Sequence, residues 1–275
     1  MVGGAGGQGG TVADMNAPGV REAYEAAARL WAEGPGPVYA SLADALLAAA
    51  GGASGRAVTG RRVLDLGAGT GVAGRAALAA GARSVVCADS AQGMLRRCGA
   101  GLRPVAADAT ALPFRDGCFD LALAAFCLGH LADPVTGLRE ARRVAAGLAA
   151  SSFAAGWNHP AKGAVDEVLG SFGYRPPPWY LTFKRDTEPW ASDPAALRRD
   201  TTAAGFTEVR LRTVTVEVGR SSPAELASWR LGMAHVAPFV CSLPAARREE
   251  LRHAAEAAVA GTGPLVVSML VLTAR

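Results

Sequence analysis

From residue 61 onward, short apolar runs alternate with stretches in which apolar residues recur every three or four positions. The short runs, bounded by glycine, proline or aspartate, read as strands, and the three-to-four spacing reads as helix. RRVLDLGA predicts a first strand and VAGRAALAAGA the helix that follows it. RSVVCADS, LRPVAADA, FDLALAAF and LAASSFAA predict four more strands, with AQGMLRRCGAG a short helix among them. Asp133-Pro134 places an N-cap before a first-turn proline and opens a helix through LREARRV. Strands and helices in alternation imply a parallel sheet with crossover helices on both faces.

The flanks extend this pattern. Residues 18–50 are rich in Ala and Leu and helical in spacing, with an interruption expected at GPGP, 34–37. Asp193-Pro194 opens a further helix that Gly205 ends. TEVRLRTVTVEV alternates as a half-exposed strand, and a phase slip near Arg212 and Thr213 reads as a bulge. Ser222, Pro223 and Glu225 fit a capping box, and the helix they open is expected to carry Trp229, Gly232, Met233 and Val236 on one face. PAARREELRHAAEAAV predicts the last helix and PLVVSMLVLTAR the last strand.

These elements predict an α/β fold with a seven-stranded, mostly parallel sheet. A helical cap precedes it, and helical and aromatic-rich insertions lie over its carboxyl edge. No repeat or linker divides the chain. After a Gly-rich tail over 1–15, expected to be disordered, residues 16–275 read as one domain. Within it, 16–60 is the cap and 61–156 the ligand-binding core. Residues 157–192 form an aromatic-rich insertion, and 193–275 complete the sheet with a helical lid over 222–260.

Charge and cysteine usage narrow the function classes. The net charge of +4 is mild, and the arginines are interspersed with acids without a basic run, so no nucleic-acid groove is expected. Only Lys162 and Lys184 interrupt the use of arginine, which reads first as a compositional bias. Five cysteines without a CxxC pair support neither a metal site nor a disulfide framework, and fit reduced thiols in a cytoplasmic protein. The N-terminus lacks the basic start and apolar stretch of a secretory signal. The longest apolar run, LVVSMLVL, is too short to span a bilayer, so no membrane association is expected.

The candidate chemistry lies in VLDLGAGTGVAG, residues 63–74. A glycine loop between strand and helix brings backbone close to a ligand and points helix amides at it. GTGVAG at 69–74 has the GxGxxG form of a dinucleotide loop, but the first glycine after the strand is Gly67, and from there the third position is Val72. Three acids in register discriminate better. Asp65 lies within the first strand, Asp89 ends the second where a ribose diol needs an acceptor, and Asp108 ends the third where an adenine amine can be read. A nicotinamide cofactor uses the middle acid only. A ligand with a ribose, an adenine and a charged amino-acid tail uses all three.

The ordered set VLDLGAGTGVAG, CADSAQGML, AADATALPF, DGCFDLALAAFCLGHLADP, LREARRV and AAGFTEVRL resembles the class I S-adenosylmethionine-dependent methyltransferases. The likeness is to their small-molecule branch, typified by quinone-biosynthesis C-methyltransferases. It covers about residues 60–150 and 194–218 and implies a Rossmann-like fold with S-adenosylmethionine as cofactor and S-adenosylhomocysteine as product. It places Gly67, Ala68, Gly69, Thr70 and Gly71 around the methionyl and ribose portions, with Asp65 orienting the loop or reaching the cofactor amine. Asp89, with Ser90, would take the ribose hydroxyls, and Asp108 with the Ala109 amide would read the adenine. Met94 would pack on the adenine, Ala125 and Phe126 would line the methionyl end, and Tyr24 would close over the site with Trp31 beyond it. Ala145-Ala146-Gly147 departs from the usual Lys-Pro-Gly-Gly turn.

His130, after the fourth strand, and His235, on the expected lid helix, are the candidate catalytic bases; each also reads as packing, and His159 in WNHP reads as loop. Trp157, Tyr174, Trp179 and Tyr180 from the insertion, with Trp31, Trp229 and Met233, are candidate walls for an apolar or aromatic substrate. No metal ligand set is expected, and the partner is a small molecule bound by a monomer or homodimer. A nucleic-acid methyltransferase is disfavoured because the position after the fourth strand reads AAFCLG instead of an Asn/Asp-Pro-Pro-aromatic set. A nicotinamide-dependent oxidoreductase and a cofactor-binding protein of the same fold with a non-methylating role are the alternatives.

Overall fold

The computed structural model describes residues 18–51, 57–131 and 133–275. The tail expected over 1–15 lies outside them. Helices α1 (Pro18–Glu33) and α2 (Pro35–Gly51) form the N-terminal cap. The interruption expected at 34–37 shrinks to Gly34. Pro35 and Pro37 sit in the first turn of α2, where a missing N–H leaves no helix bond unmade.

The core follows the expected alternation: β1 (Arg62–Leu66), α3 (Val72–Ala79), β2 (Ser84–Asp89), α4 (Gln92–Leu95), β3 (Leu102–Ala106), β4 (Leu121–Ala125), α5 (Pro134–Val144) and β5 (Leu148–Phe153). The insertion forms α6 (Pro160–Ser171), α7 (Pro178–Thr182), a π-helical turn (Phe183–Thr187) and α8 (Glu188–Ser192). The remainder is α9 (Pro194–Ala203), β6 (Arg210–Glu217), α10 (Pro223–Leu231), α11 (Ala237–Ser242), α12 (Ala245–Ala258) and β7 (Val266–Ala274). Both Asp-Pro starts cap as the sequence predicts: Asp133 accepts the Thr136 N–H, and Asp193 accepts the Ala195 N–H. Ser222 and Glu225 form the reciprocal capping box.

The strands make one sheet in the order β3-β2-β1-β4-β5-β7-β6, in which β7 alone is antiparallel to its neighbours. Both faces are covered, and strict alternation sorts the side chains. Val63, Val85, Leu123, Ala149 and Val267 pack against α2, α3, α6, α10 and α12. Leu64, Ala88, Ala122, Leu148 and Leu270 pack against α5 and α9. The strands buried on both faces are mostly apolar, as expected of a parallel sheet, with Asp65 and Ser151 the buried polar exceptions.

Two expectations are corrected. The bulge near Arg212 and Thr213 does not form: pairing with β7 runs unbroken from Arg210↔Thr273 to Glu217↔Val266. The apolar phase slips because Leu211 packs on one face of this edge strand, whereas Val214 and Val216 pack on the other. The helix expected to carry Trp229, Gly232, Met233 and Val236 on one face ends at Leu231. A Cβ at Gly232 would lie 2.5 Å from the Leu30 carbonyl of α1, and the chain turns away there, so Met233 and His235 sit in a turn.

Candidate active site

Strand order reverses between β1 and β4, and open α/β sheets bind ligands in the crevice at such a switch point. The two strands lie so close that a Cβ on Gly67, which follows β1, would fall 2.4 Å from the Cβ of Cys127, which follows β4. Gly67 also has φ +63, so both space and backbone demand glycine. Above this point a cavity of about 530 Å³ opens between the strand ends, α1 and the insertion.

One end is acidic and built from backbone turns. Asp65 is 1% exposed, and its Oδ2 accepts the Gly74 N–H of α3 at 2.7 Å, which ties the strand to the helix across the glycine loop. Burial pushes its carboxyl up to about 7, against the pull of that N–H. Asp89 accepts the Gly69 N–H and the Ala91 N–H, each at 2.8 Å, one on each oxygen. A carboxylate has about four lone-pair sites, so both oxygens keep capacity for hydroxyl donors. Asp108 accepts from the Thr110 N–H and hydroxyl through Oδ1, which holds its side chain at the β3 end.

The other end is aromatic. Trp31, Tyr39, Phe126, Phe153 and Trp157 form a continuous wall, with ring centroids 5.3, 5.2, 4.7 and 4.5 Å apart along it. Phe126 holds φ +56, a strained backbone for a bulky residue and of a kind that clusters at functional sites. Facing this wall, His130 stacks on Phe183 at 4.4 Å, and His235 stacks on Tyr180 at 3.7 Å. Both histidines are neutral at pH 7: burial lowers His130 to about 4, and burial with nearby Arg230 lowers His235 well below its usual value. The Tyr24 hydroxyl stands 3.5 Å from His130 Nε2, and burial raises its pKa, so it stays protonated.

The cavity gathers nearly all the expected residues. Tyr24, Asp65, Gly67, Ala68, Gly69, Asp89, Ser90, Met94, Asp108, Ala109, Ala125 and Phe126 line it. So do His130, His235, Trp31, Trp157, Trp179, Tyr180, Trp229 and Met233. Three residues fall outside the lining. Thr70 is 2% exposed and turned inward, its carbonyl taking the Arg75 guanidinium. Gly71 is the N-cap of α3, with φ +75. Tyr174 packs on Phe239 and donates its hydroxyl to the His235 carbonyl, so it supports the wall from behind. His159 caps α6 through Nδ1, a structural role. The sequence reading missed Tyr39, Lys162, Lys184, Glu188 and Arg230, all in the lining.

A family model described as a methyltransferase domain matches residues 64–147. This chain belongs to the class I S-adenosylmethionine-dependent methyltransferases, and S-adenosylmethionine is its cofactor. Among curated relatives, it is 48% identical to the demethylmenaquinone methyltransferase of Clavibacter sepedonicus over 93 residues, which is 32% of this chain and 38% of that one. With the demethylmenaquinone methyltransferase of Mycolicibacterium gilvum the identity is 35% over 170 residues, covering 56% of this chain and 72% of the relative. In fold it is similar to phosphoethanolamine N-methyltransferase 2 of Haemonchus contortus, solved with phosphomonomethylethanolamine and S-adenosylhomocysteine. The TM-score there is 0.51 at 15% identity, over 85% of this chain and 52% of that one.

The residues present fit this cofactor. The absent side chain of Gly69 leaves open space, with no atom within 4 Å of a Cβ built there, so backbone can meet a ligand directly. Asp89 retains acceptor capacity beside that space, and the buried Met94, packed with Ala28 of α1 and Ala91, is an adaptable apolar side chain in the cavity lining.

Proposed function

We propose that the chain transfers a methyl group from S-adenosylmethionine to a small, largely apolar aromatic metabolite in specialised biosynthesis. The observation that carries this reading is one cavity with an acid-and-glycine end and an aromatic end, meeting at the strained Phe126. Bound cofactor supplies an electrophilic methyl group on a sulfonium. Asp89, Asp108 and Met94 would hold its adenosyl part, while Asp65 fixes the glycine loop that approaches it. The aromatic wall would hold the acceptor in line with the methyl group, and such positioning is worth roughly 7–11 kcal/mol of barrier. His130, neutral and lining the cavity, would take the acceptor's proton at Nε2 where the acceptor must lose one.

The relatives' name describes methyl transfer to a demethylated quinone, which supports a flat, ring-containing acceptor. Five free thiols support a reducing compartment. Among the described residues no helix is long and apolar enough to cross a membrane. The test is incubation of purified protein with methyl-labelled cofactor and a panel of phenols, quinols and aromatic amines, beside calorimetry with S-adenosylhomocysteine. Label in an acceptor product is expected. Tight S-adenosylhomocysteine binding with no label in any product would favour the non-methylating alternative.

A further inference from the structure

The chain has two lysines, Lys162 and Lys184, and both line the cavity in a protein that otherwise uses arginine for every permanent cation. Lys184 is neutralised by an ion pair with Glu188. Lys162 makes no ion pair among the described residues; its ammonium stands 4.9 Å over the Trp157 ring. Arg230 lies close enough to depress the lysine's proton affinity, and burial with that cation brings Lys162 down to about 8.

Arg230 itself is 3% exposed, an uncommon burial for arginine. Its Nη2 donates to Asp166 Oδ1 at 2.8 Å, and that carboxylate is 52% exposed and outside the cavity lining. The guanidinium is thus anchored from the solvent side, while Nε has no partner among the described residues. Trp229 Nε1, the neighbouring buried donor, also lacks one. A buried donor left unmade carries a desolvation cost. The Lys162 ammonium and the Arg230 guanidinium, on the packed helices α6 and α10, form a corner of the cavity in which the lysine's charge is left unpaired.

We propose that this corner binds a carboxylate on the methyl acceptor, with Lys162 and Arg230 as the charged contacts. The inference deepens the methyl-transfer reading and rests on it for the word acceptor. A carboxylate would pair the Lys162 ammonium, and in a site walled by aromatic rings its charge-assisted hydrogen bonds are the strong ones. The same corner would discriminate against a neutral isostere, which leaves the cations desolvated and unpaired. Lys162 and Arg230 therefore determine specificity and have no part in bond making.

The test is titration of the full chain, with and without saturating S-adenosylhomocysteine, with 2-naphthoate and with the size-matched neutral 2-naphthamide at pH 7. The acid is expected to bind at least tenfold more tightly. Lys162→Met should bring the acid-to-amide ratio close to one without moving S-adenosylhomocysteine affinity more than twofold. Arg230→Met should do the same but also removes a buried guanidinium and its ion pair with Asp166, so Lys162→Met is the deciding variant. Equal affinity for acid and amide, failure of both to bind, or a ratio unchanged in Lys162→Met overturns the proposal. Absence of S-adenosylhomocysteine binding would instead sink the methyl-transfer reading, and the ratio on the free protein would still judge the corner.

Discussion

The Tyr24 hydroxyl and His130 Nε2 meet at 3.5 Å across the cavity, joining the N-terminal cap to the segment after β4. With the phenol protonated and the imidazole neutral, the hydroxyl donates and Nε2 accepts. The contact is at the long limit of a hydrogen bond and therefore weak. For an acceptor that must lose a proton, His130→Gln is expected to lower kcat by about 10²-fold or more, and Tyr24→Phe by much less. The acid limb of the kcat profile should fall near pH 4 instead of near 6.5, because burial keeps His130 neutral down to about that pH. An acid limb near 6.5, or His130→Gln turning over at the native rate, removes His130 from proton transfer.

Gly67 and Gly69 share a left-handed backbone but differ in surroundings, which separates stability from binding. Gly67→Ala would drive a Cβ against Cys127 in a closed packing contact. A loss on the order of 3 kcal/mol or more in unfolding free energy is expected, from overpacking added to backbone strain. Gly69→Ala meets nothing within 4 Å, so it should cost about 1–2 kcal/mol from φ +54 alone. Its methyl group would project into the ligand space and weaken S-adenosylhomocysteine binding at least tenfold. Denaturant melts and calorimetry on the two variants check both halves.

Much of this architecture was legible because the two faces of the sheet are both buried, so β1, β2, β4 and β5 read as short, mostly apolar runs, with Asp65 the one acid inside β1. The acids Asp65, Asp89 and Asp108 were legible by spacing from the strand ends. The far wall was not, for a topological reason. Tyr39, Lys162 and Arg230 lie on α2, α6 and α10, separated by many residues, and only the fold brings them together. Within their own helices each looks like an ordinary surface or amphipathic position. A compositional signal did exist: the two lysines stand out in an arginine-only chain, yet scarcity alone does not say where they point. The β6 bulge failed for a related reason, since an edge strand packed on both faces mimics a shift in phase.

Asp65 makes stability depend on pH in a particular sense. Its folded carboxyl titrates near 7 and its unfolded one near 3.8, so the native state holds the extra proton between those values. The stabilisation is complete below about pH 4 and is lost as pH rises through 7, by on the order of a few kcal/mol. His130 acts in the opposite direction: with a folded value near 4, it costs stability as pH falls from about 6.5. Asp65→Asn keeps an acceptor for the Gly74 N–H and removes the titration. The difference in unfolding free energy between wild type and Asp65→Asn should therefore move in favour of the variant from pH 4 to 7. A flat difference across that window contradicts the assignment.

Glu25 ties the cap to the cofactor end. Its Oε2 accepts the Gly93 N–H at 2.6 Å, and its other oxygen pairs with Arg96, so α1 is clasped onto α4 beside Met94. The pair with Arg96 is exposed and worth little, but the Gly93 N–H bond is charge-assisted and approached closely: a Cβ on Gly93 would lie 2.8 Å from Glu25 Oε1. Tyr24 is the neighbouring residue on α1, so freeing Glu25 loosens the residue that meets His130. Glu25→Gln keeps an acceptor for Gly93 and should change little, whereas Glu25→Ala removes it. In Glu25→Ala, S-adenosylhomocysteine is expected to dissociate roughly tenfold faster, in line with the loss of one hydrogen bond to a charged group, while its association rate stays within a few-fold. Stopped-flow tryptophan fluorescence, reporting through Trp31 and Trp179 on the cavity wall, measures both rates. Equal dissociation from Glu25→Ala and wild type would show that α1 closes the site without this clasp.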